Sequence, residues 1–182
     1  MRKFLVIFTL LSALALAQTA TKKTATKAAA PAAALITPDK LQWGPAPPVF
    51  PAGAQFAVVS GNPAAAGPFI VRLKLPDGYR VMPHWHPTAE TVTVLSGDLR
   101  VGMGNKFDES TLQPLPAMGV AVVPPHHNHY VMSKGETELQ VNSMGPFKLT
   151  YVNPADDPSH GQAGPAKKGG ASAKKKSSAA TK

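Results

Sequence analysis

The chain has 182 residues, no cysteine and a formal net charge of +9. This length suggests one folded domain, and the absence of cysteine excludes disulfides and thiolate metal ligands. All ten acidic residues lie between Asp39 and Asp157, together with only eight of the nineteen basic residues. The excess positive charge therefore lies at the two ends and does not indicate a dedicated nucleic-acid site in the middle region.

The first residues have the pattern of a secretory signal peptide. Arg2 and Lys3 precede an apolar run over residues 4–14, and small residues at positions 15 and 17 form a cleavage site. A membrane anchor is the alternative, but a span requires about 20 apolar residues and this run is shorter. We therefore expect residues 1–17 to be removed by cleavage after Ala17, and the protein to be periplasmic or secreted.

Low-complexity segments flank the middle region. Residues 18–38 are rich in Ala, Thr and Lys, and residues 158–182 contain six lysines and no acidic residue. Such compositions cannot bury enough apolar surface to offset the entropy lost on ordering, so we expect a flexible linker and a disordered basic tail. The tails would contact anionic polymers or the cell envelope, although a solvated tail without a partner is the more common role of such a segment.

The region between the tails, residues 39–157, is predicted to be all-β. Sixteen of the nineteen prolines lie between Pro45 and Pro158, which leaves few windows long enough for a helix. The remaining windows alternate with period two, as half-buried antiparallel strands do. Residues 119–123 are apolar on both faces and predict a central strand, with turns at residues 96–98 and 134–136. The residues predicted to face the core are Phe69, Val71, Leu73, Leu75, Leu99, Val101, Met103, Leu139, Val141, Phe147, Leu149 and Tyr151.

Two clusters hold five of the six histidines. His84 and His86 point to the same face of an extended chain, about 7 Å apart. The proline that follows favours a turn, and the next strand would direct Glu90 back toward the histidines. The same parity directs Val92 and Val94 inward, so the apolar set and the acidic residue share a face.

The second cluster spans residues 126–129. His127 and His129 share a parity in an extended segment, whereas His126 and Asn128 point the other way. A lone histidine is usually a surface or core residue, but burying three histidines and a carboxylate without a partner would cost several kcal/mol. Clustering of His and Glu therefore predicts a metal site with nitrogen and oxygen ligands.

The spacing from Gly78 to Gly97 carries a family resemblance. Gly, five residues, His-x-His, three residues, Glu, six residues and Gly are similar at every fixed position to the first signature of the cupin superfamily. The resemblance covers about residues 39–157 and implies a cupin-type double-stranded β-helix, a jelly-roll barrel. The pattern of seven to nine short strands alone leaves an immunoglobulin-like sandwich open. The ligand set that the resemblance implies is His84, His86, Glu90 and His129.

The second cupin signature is matched less closely. Four residues instead of five separate Gly119 from Pro124, His126 stands where the signature has Gly, and Ser133 replaces its final Asn. His129 occupies the ligand position. Cupins similar to this chain often pair through proline-rich arms, so the arm, residues 43–51, implies a homodimer; the alternative is that Trp43 plugs an open end of the sheet.

The expected cofactor is one divalent transition metal, for which Fe, Mn, Ni, Cu and Zn are all compatible with three imidazoles and one carboxylate. The inward parity predicts an apolar pocket without Lys or Arg, which suits a small-molecule substrate that binds the metal directly. Glu90 would balance charge and His127 would relay a proton. The predicted pocket residues are Met82, Val92, Val94, Leu99 and Val131.

Three classes of function fit these observations. The first is a metal-dependent oxygenase or oxidoreductase for a small molecule. The second is a non-catalytic metal- or ligand-binding module that the basic tails hold near the envelope. The third is a structural module stabilised by its metal. Cupins span all such roles, so the fold does not choose among them.

Overall fold

The computed structural model describes residues 34–160, and this part of the chain is almost entirely β-structure. The predicted signal peptide, most of the linker and most of the Lys-rich tail lie outside the described residues. In the described part, no helix is long and apolar enough to cross a membrane. Four single 3₁₀ turns occur, at Pro38–Lys40, Glu109–Thr111, Pro154–Asp156 and Pro158–His160. The nine strands are β1 (Gly44–Pro45), β2 (Gln55–Ser60), β3 (Gly67–Leu75), β4 (Arg80–Trp85), β5 (Glu90–Met103), β6 (Gln113–Pro116), β7 (Val120–Val123), β8 (His129–Gly145) and β9 (Thr150–Tyr151).

The strands form one curled antiparallel sheet around an apolar interior. Its main path runs β1-β2-β3-β8-β4-β9, and β5 pairs with β6, β7 and β8. The predicted inner face of β3 is confirmed, since Phe69, Val71, Leu73 and Leu75 are all buried. Met103 is an exception to the predicted core, because it lies at the end of β5 and is 52% exposed. The all-β prediction is confirmed.

Two long strands bend where turns were predicted. β5 and β8 pair along almost their whole lengths, from Glu90 opposite Ser143 to Met103 opposite His129, with register shifts on both sides of Ser96. Gly97 (φ +84°) and Gly135 (φ +75°) lie at these bends. The turns predicted at 96–98 and 134–136 are therefore wrong: each glycine bends a strand that continues beyond it. The bends let the β5–β8 pair curl around the interior.

The predicted central strand at residues 119–123 is an edge strand. β7 pairs with the first half of β5, and the described residues supply no second partner strand. Val120 and Val122 accordingly remain 54% and 68% exposed. A strand that is apolar on both faces therefore lies at the edge of this sheet and exposes one apolar face, which carries Val120 and Val122.

The arm packs on its own barrel. Gly44 and Pro45 form β1 and pair with β2, and the Ala46 amide donates to the Ala54 carbonyl at 3.1 Å. The Lys74 ammonium lies 4.3 Å from the ring centre of Trp43, so Trp43 covers the outer side of β3. Trp43 therefore does not plug the interior, which is instead lined by residues nearer the arm's end.

Candidate metal centre

Four polar side chains meet where three strands begin or end. His84 is the penultimate residue of β4 and His86 follows that strand, while Glu90 begins β5 and His129 begins β8. The pairing of β4 with β8 sets His84 directly opposite His129. All four residues are at least 92% buried. The two clusters that are 40 residues apart in sequence therefore become one site, which is what their residue types predicted.

The three histidines converge on one point. One ring nitrogen from each of His84, His86 and His129 lies within 4.8 Å of those of the other two. The ring centres of His84 and His129 are 4.2 Å apart, and both are within 5.3 Å of the ring centre of His86. A single ion of ordinary size can contact all three at such spacing.

Backbone carbonyls fix the tautomer of each ring. His84 Nδ1 donates to the Met82 carbonyl at 2.7 Å, and His86 Nδ1 donates to the Lys148 carbonyl at 2.9 Å. His129 Nδ1 donates to the carbonyl of residue 127 at 3.0 Å. Because a carbonyl oxygen only accepts, the proton of each neutral ring resides on Nδ1, and each Nε2 presents a lone pair. This is the orienting arrangement that metal-binding histidines use.

Glu90 adds a carboxylate beside two of these histidines. Its Oε2 lies 3.3 Å from His129 Nε2 and 3.6 Å from His86 Nε2. The buried His86 Nε2 has no hydrogen-bond partner, and an unpaired buried nitrogen is costly unless something else satisfies it. A divalent transition metal fits this donor set of three imidazole nitrogens and one carboxylate.

Two of the histidines, His84 and His86, are held neutral, as metal binding requires. Burial, the largest effect, together with the rings of His129 and His86, lowers the pKa of His84 well below its usual value. Burial also lowers the pKa of His86, although Glu90 and the carbonyl bonded to Nδ1 act in the opposite direction. At neutral pH the lone pairs are therefore available.

The four residues form one end of an internal cavity of about 210 Å³. The rest of its wall consists of apolar side chains from β2, β3, β4, β5, β8 and the arm, together with Pro63, Phe147 and Leu149 from the connections between strands. Among the described residues no Lys or Arg lines it. The cavity therefore has a polar part that could hold a metal ion and an apolar remainder.

Three of the predicted pocket residues, Val92, Leu99 and Val131, line this cavity. Met82 and Val94 do not. The β4–β8 register shifts between Val81 and His84, so Val81 lines the cavity and Met82 contributes only its carbonyl. Val94 is fully buried in the core near the bend of β5.

His127 is not placed as the parity argument predicted. Its side chain is exposed and does not line the cavity. The argument assumed an extended segment, whereas the chain turns here: His126 has a φ of +59° and the His127 amide donates to the Pro124 carbonyl. His127 therefore reaches the site through its backbone carbonyl, which orients His129. His126, as expected, points away and its ring lies 4.8 Å from that of Trp85.

Sequence reasoning missed Phe147 as a part of the site. Its ring stacks on His86 with centres 4.3 Å apart and planes 19° from parallel, and it meets Phe69 edge to face. The alternation near Phe147 predicted that it faces the core, but gave no sign that it would contact a histidine. Phe147 and the neighbouring Lys148 carbonyl together fix the plane of the His86 ring.

The described region has the cupin-type double-stranded β-helix fold. No protein-family model matches the chain, and no curated protein matches it significantly. Solved structures do match, at 11–23% sequence identity, which shows the fold. The polyketide cyclase RemF from Streptomyces resistomycificus has a TM-score of 0.60 and 11% identity, over 71% of this chain and 92% of that one.

Two further structures share the fold. A proposed acetylacetone dioxygenase from Methylibium petroleiphilum has a TM-score of 0.56 and 19% identity, over 69% of this chain and 84% of that one. An RmlC-like cupin from Shewanella frigidimarina has a TM-score of 0.50 and 15% identity, over 63% of this chain and 94% of that one. The cupin architecture implied by the first signature is thus confirmed.

Proposed function

We propose that this protein is a metal-dependent oxygenase or oxidoreductase that acts on a small, largely apolar compound. The observation that carries the proposal is the convergence of three histidine ring nitrogens, with a carboxylate beside two of them, in the wall of an otherwise apolar cavity. A purely structural metal site has no need of an adjoining cavity, and a closed set of ligands suffices for it. The cavity therefore favours a site with a substrate.

His84, His86, Glu90 and His129 would hold one divalent ion, with Fe, Mn, Ni, Cu and Zn all compatible with the donor set. When bound, such an ion would supply Lewis-acid chemistry and, for every candidate except zinc, redox chemistry as well. Glu90 would balance the charge of the ion and can accept or return a proton at Oε2. The His127 side chain is exposed, so the proton relay predicted for it is reassigned to Glu90 in this proposal.

The cavity wall favours a neutral substrate. In the described region the lining lacks Lys and Arg, so nothing there would balance the charge of a phosphate or a carboxylate. The apolar side chains would exclude water and hold the hydrocarbon part of a substrate, while its oxygen atoms would face the histidines. A small neutral chelating compound, such as a 1,3-dicarbonyl, meets both requirements.

The similar folds give this proposal limited support. The substrate in the name of the Methylibium petroleiphilum protein, acetylacetone, is a small neutral 1,3-diketone. The name of RemF refers to polyketides, which are larger. A cavity of about 210 Å³ suits the smaller kind of substrate better.

Export and self-association are also part of the proposal. Residues 1–17 have the composition of a signal peptide, and their loss would leave Gln18 as the first residue. N-terminal sequencing of the protein from the periplasm or medium tests this, and a start at Met1 would contradict it. The proposed homodimer is tested by light scattering, which should give twice the mass of one chain.

The experiment that tests the function has two stages. Elemental analysis of protein purified without chelator or affinity tag should find one Fe, Mn, Ni or Cu per chain. Oxygen uptake is then measured with a series of small 1,3-dicarbonyl compounds, using His129→Ala as the inactive control. Metal at full occupancy without oxygen uptake or product formation would favour the alternative, a non-catalytic binding module held near the envelope by its basic tails. An empty or zinc-filled site would contradict the oxygenase proposal and favour the same metal- or ligand-binding module.

A further inference from the structure

The arm forms a part of the cavity wall that differs from the rest. Pro47, Val49 and Phe50 line the cavity alongside the strands. Val49 and Phe50 are half-buried, so they contact the cavity on one side and remain accessible on the other. The strand walls are held by ladder hydrogen bonds, whereas the chain leaves the ladder after β1 and returns to it at β2. The conformation of this part of the cavity wall can therefore change without breaking hydrogen bonds between the strands.

Two buried tyrosines tie the end of the arm to the barrel. The Tyr151 hydroxyl donates to the Val49 carbonyl at 2.8 Å, and the Tyr79 hydroxyl donates to the Pro51 carbonyl at 2.5 Å. Both tyrosines are at least 94% buried, and burial raises the pKa of both hydroxyls, which keeps them protonated as donors. The carbonyls on each side of Phe50 are therefore fixed.

One of these tyrosines also adjoins the metal centre. Tyr151 pairs with His84 in the β4–β9 ladder, and their ring centres are 6.2 Å apart. Tyr151 thus connects the arm to β4, the strand that carries the proposed ligand His84. A substrate that reaches from the histidines toward the arm would meet a wall at a fixed distance.

We propose that the arm is the specificity-determining wall of the cavity, in which Phe50 sets the largest ligand admitted and the Tyr79 and Tyr151 hydroxyls hold it in place. The inference deepens the proposed function, since it concerns the same cavity. Its test uses the binding of apolar probes, which requires neither the metal nor turnover.

The first experiment measures the size limit of the cavity. Binding of benzene, propylbenzene and hexylbenzene to the full chain is followed by calorimetry for the natural protein, Phe50→Ala, Phe50→Leu and a control, Phe107→Ala. Phe107 is also a half-buried aromatic, but it packs on Tyr130 and does not line the cavity. The natural protein should reject probes above a certain size. We expect Phe50→Ala to bind the smallest of the rejected probes at least about tenfold more tightly than the natural protein does. Phe107→Ala should keep the natural size limit.

An unchanged size limit in both Phe50 variants would overturn the proposal. Circular dichroism shows whether each variant is folded, and Phe50→Leu, a milder change, decides the matter if Phe50→Ala is not. Elemental analysis and oxygen uptake address the proposed function separately. The proposed role of the arm can therefore be disproved while the proposed metal chemistry stands. Equally, the metal chemistry can be disproved while the role of the arm stands.

The second experiment tests the two tethers. Tyr79→Phe and Tyr151→Phe each remove one donor and keep the ring, with Tyr130→Phe as the matched control. Tyr130 is equally buried, but its hydroxyl contacts Thr111 and the Asp108 carbonyl, away from the arm. We expect both tether variants to admit larger probes and to speed amide hydrogen exchange in residues 46–50 without a change in β3 and β8. The same result for Tyr130→Phe, or faster exchange throughout the sheet, would refute the tethering role.

Discussion

At the residue scale, the geometry of the metal centre is set by the backbone more than by neighbouring side chains. Each histidine donates Nδ1–H to a main-chain carbonyl, from Met82, residue 127 or Lys148. Substitution of those three side chains leaves the acceptors in place. The site should therefore depend strongly on the rings themselves and weakly on the identity of the residues that orient them.

Substitutions in the second histidine cluster test this assignment. His129→Ala removes one converging nitrogen, and we expect its metal affinity to fall more than about 100-fold, beyond the loss usual for an orienting partner. His127→Ala keeps the carbonyl that orients His129 and should stay close to the natural protein, as should His126→Ala. Competition with a chromophoric chelator measures the affinities. Equal losses in all three variants would show that the assignment of His129 is wrong.

The lowered pKa values of two histidines predict how the stability of the metal-free protein depends on pH. The folded state holds His84 and His86 neutral, whereas in the unfolded chain histidine titrates near about pH 6.5. Below that pH the unfolded state binds more protons, so the free energy of unfolding falls as pH decreases, by up to about 1.4 kcal/mol per pH unit for each extra proton bound.

Urea unfolding of chelator-treated protein between neutral and mildly acidic pH measures this slope. His84→Asn removes one of the two titrating groups and should make the slope shallower. The control His160→Asn changes an exposed histidine in a terminal 3₁₀ turn and should leave the slope as it is. Greater stability at lower pH would contradict the neutral histidines.

At the element scale, the bends of β5 and β8 make different demands on their glycines. Both have positive φ, but a Cβ on Gly97 would overlap the Glu136 carbonyl and lie 2.7 Å from Thr137 Oγ1, whereas a Cβ on Gly135 meets nothing within 4 Å. We expect Gly135→Ala to cost about 1–2 kcal/mol of unfolding free energy, the price of left-handed backbone. Gly97→Ala adds a steric overlap and should cost at least about 1 kcal/mol more. Urea unfolding compares the two, and equal costs would disprove the close approach at Gly97.

Alternation predicted the sheet well wherever a strand is regular. In β3 the four apolar residues from Phe69 to Leu75 all face the core, because period two follows directly from extended backbone. The alternation failed at Met82, because a register shift in β4 places Val81 and not Met82 in the cavity wall. Such a shift depends on the partner strand, and nothing near Met82 in the sequence marks it.

The glycines and the second histidine cluster show the same limit of prediction from the sequence, namely that the local structure depends on distant residues. A glycine between two strand-like segments marks either a turn or a bend, and only the pairing of β5 with β8 decides which. For His127, the positive φ of His126 breaks the extended parity. The candidate metal ligands could be proposed from the sequence because their types and spacing carry the chemistry, whereas the carbonyls that orient them leave no trace in it.

At the scale of the whole molecule, the interior contains both the apolar core and the cavity of the proposed site. The cavity lies inside a sheet formed by nine strands within residues 34–160, and space left open there forgoes packing contacts that would otherwise stabilise the fold. The chain has no disulfide to compensate, since it contains no cysteine. An ion that links β4, β5 and β8 at their ends would therefore contribute to folding as well as to function.

Removal of the metal should accordingly lower the melting temperature. A ligand present at about 100 times its dissociation constant stabilises the folded state by about 2.7 kcal/mol, which corresponds to a shift of roughly 5–15 °C for a domain of this size. We expect a chelator at neutral pH to produce this loss and the same metal to restore it, while His129→Ala melts at one temperature with or without chelator. Because protons compete for the imidazoles, the stabilisation by metal should also vanish at acidic pH. An unchanged melting temperature after chelation, in protein shown by elemental analysis to have lost its metal, would mean that the strand ends are held by packing alone.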